Sequence, residues 1–347
     1  MDKKILKYFK SKKILITGHT GFKGAWLCIV LKHLNAKVYG ISLKAVKNSL
    51  FEKAKLSKKI DDHNVFDIRD KKRLSKKIFQ LKPDIIIHLA AQSLVLKSYE
   101  NPFNTFEVNF NGTLNLINAF IRSKLTKKIL VVTTDKVYKN KKNTVYKEND
   151  QLWGIDPYSA SKVAVEQLIY SYNQINVDKN KHFLVARAGN VLGGGDIGKD
   201  RIIPDILRAI KNNKVMLLRS PNSIRPWQHV LDPLFGYLTL IYKSNKIKKT
   251  YAWNFGPKNK NFKKVIDIVN KFKLNYKLKT IIKKNFNKET NVLKINSEMT
   301  KKKLNWFPKL NFNKSLDYTI SYEKLLKQKK EPYEICLHQI QEYIKDR

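Results

Sequence analysis

A chain of 347 residues is too long for one small core and suits two domains, and its 42% hydrophobic content is enough for packed interiors. Its formal net charge of +42 comes mostly from lysine spread end to end. Lys, Asn and Ile, whose codons are rich in A and T, abound together, while arginine, the better base reader, is scarce, so the charge argues against a specific nucleic-acid partner. The two cysteines, Cys28 and Cys336, lack metal-ligand spacing, and the seven histidines form no H-E-x-x-H pattern. No disulfide framework and no metal site are expected, and a reducing cytoplasm fits. The basic N-terminus lacks the apolar stretch of a signal peptide, and no apolar run approaches a membrane span, so no membrane association is expected.

After a short basic lead-in, the apolar run at 13–17 predicts a buried strand. It enters a glycine-rich turn, Gly18-His19-Thr-Gly21-Phe22-Lys23-Gly24, followed by a helix. Glycines at this spacing let the backbone approach a pyrophosphate, and the helix N-terminus supplies amide donors. The second strand ends at Ser42, where a dinucleotide site often carries Asp or Glu; Ser42 either bonds a ribose hydroxyl or simply ends the strand. A third strand is predicted over 64–70. In it Asp67, with Ile68 beside it, either accepts from an adenine amino group or caps the helix starting near Lys71. A fourth strand at 83–89 ends in Leu89-Ala90-Ala91-Gln92, small residues over which a cofactor can lie, while His88 reads as a core residue. A long helix is expected from about 101 to 123, then a fifth strand ending at Thr134-Asp135-Lys136.

The stretch Tyr158-Ser-Ala-Ser-Lys162 places a phenol and an amine on one face of a helix. An ammonium or a bound nicotinamide cation favours the phenolate, which can then take a proton from an alcohol. A sixth strand is predicted at 181–188. The alternation implies a Rossmann-type doubly wound α/β fold: a parallel sheet with ligands beyond its carboxyl edge, where the glycine loop, residues 90–92, 134–136 and 189–190 all fall. Beyond Asn190 the pattern is less regular and predicts a smaller α/β substrate-binding lobe. Residues 1–188 are assigned to the dinucleotide-binding domain, with 230–257 returning to it, and 189–229 plus 258–347 to the lobe. The segment from Glu331 is polar and is expected to be partly ordered.

The glycine loop, Asp67, Leu89-Ala-Ala91, Thr134, the Tyr158/Lys162 pair and Leu304-Asn-Trp306-Phe-Pro308 together resemble the extended short-chain dehydrogenase/reductase superfamily over about residues 12–325. Within it, Ala90-Ala-Gln92-Ser-Leu, Thr134-Asp-Lys136-Val-Tyr138, the stretch from Ala186 to Asp196 and Arg225-Pro-Trp-Gln-His-Val230 resemble the CDP-glucose branch of the nucleotide-sugar 4,6-dehydratases. The wider group carries Glu where this chain has Lys136. The resemblance implies NAD as cofactor, CDP-glucose as substrate, and a place in deoxysugar (surface polysaccharide) biosynthesis. It implies Tyr158 as base toward the 4-hydroxyl, aided by Thr134 and Lys162, with Asp135 as acid toward the leaving C6 hydroxyl. Lys136 would take the C5 proton as a free amine, act through water, or stabilise the enolate. Gln92, Asn190 and Arg225 would hold the substrate, and Arg201 either a phosphate or a structural partner. A homodimer through the helices near 101 and 157 is implied, with a tetramer as the alternative. Another nucleotide-sugar 4,6-dehydratase or a 4-epimerase on the same scaffold is the near rival, and a non-catalytic dinucleotide sensor or nucleic-acid binder the distant one.

Overall fold

The computed structural model describes residues 2–141, 144–175, 178, 180–247, 252–258, 262–282 and 292–345. After α1 (Lys3–Tyr8), the chain alternates through β1 (Lys13–Thr17), α2 (Phe22–His33), β2 (Lys37–Ser42), α3 (Leu50–Lys53), β3 (Asp62–Val65), α4 (Lys71–Leu81) and β4 (Ile85–His88). It continues through α5 (Val95–Glu100), α6 (Pro102–Phe106), α7 (Gly112–Arg122), β5 (Lys128–Val132), α8 (Pro157–Gln174) and β6 (His182–Ala188). Strands β4 and β5 are apolar along nearly their whole length because both faces are covered. Helix α8 starts where it does for a local reason. Asp156 accepts from the Ser159 amide at 2.9 Å, the Ser159 hydroxyl accepts from the Asp156 amide at 3.1 Å, and Pro157 fits the first turn.

The second half contributes β7 (Val191–Leu192), α9 (Ile202–Lys211), β8 (Met216–Leu218), β9 (Ile224–Pro226), β10 (Gln228–His229), α10 (Leu231–Lys243) and β11 (Ala252–Phe255). Then come β12 (Phe262–Lys264), α11 (Val265–Lys273), β13 (Thr280–Ile282), α12 (Glu298–Leu304), α13 (Phe312–Lys327) and α14 (Pro332–Lys345). Strand β11 returns to the main sheet as expected, although Tyr251, included in that expectation, lies outside the described residues.

The seven-stranded sheet has the order β11-β6-β5-β4-β1-β2-β3 and is parallel throughout. Strand order reverses between β1 and β4, which opens a crevice at their carboxyl ends. The register keeps those ends level: Thr17 lies opposite His88, and Val132 opposite Ala186. One face of the sheet is covered by α2, α10 and α14, the other by α4, α7 and α8. Three two-stranded sheets and the helices α9, α11 and α13 build the smaller lobe around its own apolar cluster.

Three local expectations change. The third strand ends at Val65, and Asp70, not Asp67, caps α4 by accepting from the Arg73 amide at 3.0 Å. The long helix expected near 101–123 is present as α6 and α7 but is not regular, since a π-turn at Glu107–Asn111 joins the two. The C-terminal residues form α14, which packs on both α2 and α13 and buries Ile335, Cys336, Ile340 and Tyr343 in the core of the main sheet. Apart from the buried Gln339, which donates to the Tyr318 carbonyl at 2.9 Å, its polar residues are interleaved on the outer face, which is why composition hid it.

Candidate active site

The glycine loop turns sharply because Gly18 has φ +79°, and a side chain there would meet the Ala90 amide nitrogen at 2.6 Å. At Gly24 a Cβ would lie 2.3 Å from the Gly18 carbonyl oxygen, so the third glycine lets α2 sit against the turn. Helix α2 begins at Gly21 without a side-chain cap, leaving its first amides open toward a cavity of ≈ 680 Å³. The cavity runs from the glycine loop across the ends of β4 and β5 to the smaller lobe. Such a cradle, with uncapped donors facing a crevice at the strand-order reversal, fits a dinucleotide's pyrophosphate.

At the adenosine end, Ser42 lines the cavity and its hydroxyl bonds that of Thr20 at 2.7 Å. Thr20 also donates to the Leu43 carbonyl at 3.1 Å. Asp67 and Ile68 line the same end. Burial works against charge on Asp67, but hydrogen bonds from the Arg69 guanidinium at 2.8 Å and amide at 2.9 Å outweigh it and lower its pKa.

At the other end Thr134, Asp135, Lys136, Tyr158 and Lys162 converge. Asp135 is 1% exposed; its Oδ1 accepts from the Thr134 hydroxyl and from the Lys136 ammonium, each at 3.2 Å, while its buried Oδ2 has no partner. Thr134 also hydrogen-bonds Tyr158. Burial pushes the Tyr158 phenol up to about 12 and nearby Asp135 adds to this, while the Thr134 bond opposes it. The Lys162 Nζ donates to the Val132 carbonyl at 3.3 Å. Burial and nearby Lys23 lower Lys162 to about 8, against the pull of Glu166.

Beneath this cluster, Glu166 on α8 and Arg187 on β6 form an ion pair, each side chain 1% exposed. Glu166 also accepts from the Thr133 hydroxyl at 2.6 Å, and Arg187 donates to the Tyr138 hydroxyl at 2.8 Å. One buried pair thus ties the ends of β5 and β6 to the helix carrying Tyr158. Neither residue was singled out from sequence, because their meeting depends on strand order.

From the lobe, Asn190, Arg201 and Arg225 all line the cavity. The Asn190 Oδ1 is buried without a partner. Arg201 pairs with Asp196 at 3.1 Å and donates to the Ser93 hydroxyl at 3.2 Å. Arg225 is buried and donates to the Ile224 carbonyl at 3.0 Å.

Two predicted site residues are not brought to the cavity. The His19 ring turns under β2, where it bonds His63 at 2.7 Å and fills the space above Gly40. Gln92 spends its amide within its own loop, donating to the Leu94 carbonyl at 3.1 Å and the Thr105 hydroxyl at 3.0 Å and accepting from the Leu94 amide at 2.7 Å. Asn109, in the π-turn, locks that loop: it accepts from the Gln92 amide at 2.8 Å and donates to Ser161 on α8 at 2.9 Å. His88 is a satisfied core residue between the Thr17 and Thr113 hydroxyls, and burial lowers it to about 3.

The family model for GDP-mannose 4,6 dehydratase matches residues 15–319. CDP-glucose 4,6-dehydratase from Salmonella typhimurium is 37% identical over 330 residues, covering 91% of this chain and 92% of that protein. Among solved structures, dTDP-glucose 4,6-dehydratase from Bacillus anthracis, a complex with NAD, superposes with a TM-score of 0.77 at 20% identity, covering 93% of this chain and 100% of that one. UDP-glucose-4-epimerase from Stenotrophomonas maltophila gives a TM-score of 0.80 at 17% identity, covering 92% and 100%. At these identities the two structures speak to the fold, which is the same parallel sheet and lobe. By the family match along nearly its whole length and the kinship to the Salmonella enzyme, the chain belongs to the GDP-mannose 4,6 dehydratase family.

Proposed function

We propose that this protein is an NAD-dependent CDP-glucose 4,6-dehydratase, converting CDP-glucose to CDP-4-keto-6-deoxyglucose and water in deoxysugar biosynthesis. The observation that carries this reading is Asp135, buried in the same cavity as Tyr158 with Oδ2 unpartnered. A carboxyl there can protonate a departing C6 hydroxyl, whereas epimerisation at C4 needs no such acid. The choice of CDP-glucose rests on the 37% identity to the Salmonella enzyme.

A nicotinamide dinucleotide, when bound, accepts hydride from C4 and returns it to C6. Gly18, Gly21, Phe22, Lys23 and Gly24 would hold its pyrophosphate, Ser42, Asp67 and Ile68 its adenosine, Leu89, Ala90 and Ala91 its flank, and Tyr158 and Lys162 its ribose. Tyr158 takes the proton of the C4 hydroxyl once bound ligands lower the phenol from about 12. The Thr134 hydroxyl donates to Asp135 and its oxygen accepts from the Lys136 amide at 3.3 Å, which leaves one lone pair to accept from the phenol. This chain can reset Asp135 with the proton Tyr158 has taken. Asp135 then protonates the leaving C6 hydroxyl. The Lys136 ion pair with Asp135 favours, of its three roles, electrostatic stabilisation of the enolate. Asn190 and Arg225 hold the sugar diphosphate, an arginine fork suiting phosphate; Arg201, already paired with Asp196, is secondary.

Incubation with CDP-glucose and mass spectrometry of the product tests this reading. Loss of one water is expected; a product of unchanged mass would favour the epimerase. A homodimer is part of the proposal, supported by Phe103, 78% exposed on α6, with Phe106 and Tyr170 also exposed on α6 and α8. Light scattering in solution reads it directly. A reducing cytoplasm suits the buried thiols Cys28 and Cys336. Among the described residues no helix is long and apolar enough to cross a membrane.

A further inference from the structure

In the proposed function the lobe end of the cavity is taken by neither cofactor, sugar nor diphosphate. The cofactor occupies the glycine loop and the ends of β2 and β4, the sugar lies by Tyr158 and Asp135, and Asn190 and Arg225 hold the diphosphate. The lining continues past them into the lobe through Leu217, Leu218 and Val265, with Asp200, Arg219 and Ser220 among its polar members. That is the room left for the nucleoside of a nucleotide sugar.

A charged pair spans this end. Asp200 stands just before α9 and Arg219 just after β8, and the Arg219 guanidinium donates to Asp200 Oδ1 at 2.9 Å. The turn that carries Arg219 and Arg225 is fixed to the start of α11. The Val265 amide donates to the Ser223 carbonyl at 3.0 Å, and the Ile266 amide to the Pro221 carbonyl at 2.9 Å. Asp200 lies in the left-handed region at φ 57°, uncommon for a residue other than glycine. Its side chain is 45% exposed, and among the described residues only its Oδ1 is hydrogen-bonded. The two neighbouring carboxylates are held more closely: Asp196 meets Arg201 with both oxygens, and Asp205 meets Arg208 on its own helix. An ion pair as exposed as Asp200–Arg219 adds little to stability, so folding alone does not account for it.

Resting on the dehydratase reading, we propose that the Asp200–Arg219 pair reads the base and sets a preference for cytosine. Cytosine presents an amino donor at position 4 beside an acceptor at N3. A carboxylate held beside a guanidinium offers the matching acceptor and donor. Asp200 accepts from the 4-amino group, Arg219 donates to N3, and Leu218 and Val265 supply apolar contact for the ring. In the same register uracil or thymine turns a carbonyl oxygen toward the carboxylate. Two acceptors then face each other with no proton between them, which leaves both unpaired.

The test compares kcat/KM on CDP-glucose and UDP-glucose for the wild type and for Asp200→Asn. Asparagine adopts the left-handed backbone readily and keeps the size of the side chain, but its amide both donates and accepts. The wild type is expected to prefer CDP-glucose by about 10²-fold, and Asp200→Asn to reduce that ratio by about tenfold or more through gained use of UDP-glucose. Calorimetry with CMP and UMP reads the same preference without turnover: the wild type binds CMP more tightly, and the variant binds the two about equally. If Asp200→Asn leaves the ratio unchanged, whether or not both rates fall, the pair only ties α9 to β8 and the proposal is overturned. Equal use of both sugars by the wild type overturns it as well. Wild-type protein that turns over neither sugar, yet prefers CMP to UMP through Asp200, would refute the dehydratase reading and leave the base-reading pair standing.

Discussion

The two ends of the cavity are built on opposite principles. At the adenosine end the polar side chains are already paired: Thr20 with Ser42, and Asp67 with Arg69. At the reacting end the pairing is incomplete, although Lys136 reaches Asp135 and Arg201 reaches Asp196. Among the described residues Asp135 Oδ2 and Asn190 Oδ1 are buried without partners, although both residues line the cavity. Burying a polar atom without a hydrogen bond costs about 1–3 kcal/mol, so a folded chain retains such atoms where a ligand completes them. The paired end is shaped to fit; the unpaired end is poised to react.

That contrast breaks if substitutions at the two ends have similar effects. Tyr158→Phe is expected to be the most severe, lowering kcat by about 10⁴-fold in an assay of 4-keto sugar formation, with stability little changed. Asp135→Asn should cost about 10²–10³-fold and leave exchange of hydride at C4 faster than release of water, as read by isotope scrambling in recovered substrate. The support beneath the reacting end is tested by Glu166→Gln, which leaves Arg187 as a buried charge without its counter-ion. Because both side chains are 1% exposed, a loss of about 3–5 kcal/mol in urea unfolding is expected.

Acid should undo the fold through its buried histidines. Burial lowers His88 and His229 to about 3 and His19 to about 4, below the unfolded value of 6.5. The unfolded chain therefore binds more protons as pH falls below 6.5. The stability these rings provide is present above that pH and is lost toward their folded values. Between pH 7 and pH 5 each contributes a loss of about 2 kcal/mol, and His88→Gln should flatten the slope of stability against pH. The smallest effect belongs to the paired end. Asp67→Asn should weaken NAD binding by only about threefold in calorimetry with kcat unchanged, because a half-exposed pair is screened by water.

The fold and the site were legible in the sequence where the signal is local. Apolar runs of Ile and Val marked β1, β4 and β5, the glycine spacing marked the turn, and Tyr158 and Lys162 share a helix face by periodicity alone. What was not legible depends on partners distant in sequence. His19 was read as a loop residue because nothing adjacent shows that His63 waits beneath it, 44 residues on. Gln92 looked free for substrate because its partners, Thr105 and the π-turn's Asn109, belong to a segment read as regular helix. The Glu166–Arg187 pair exists only once β5 and β6 are neighbours. Helix α14 was overlooked because its apolar residues are interleaved with charge, and only packing on α2 selects one face.

In the proposed reaction one cavity oxidises C4 and then, through Asp135, expels the C6 hydroxyl. Turnover of CDP-glucose carrying deuterium at C4, with NAD present, tests it most directly. A 4-keto-6-deoxy product with the deuterium at C6 is what the arrangement of Tyr158 and Asp135 predicts. Recovery of a hexose of unchanged oxygen content, with the label still at C4, would contradict it.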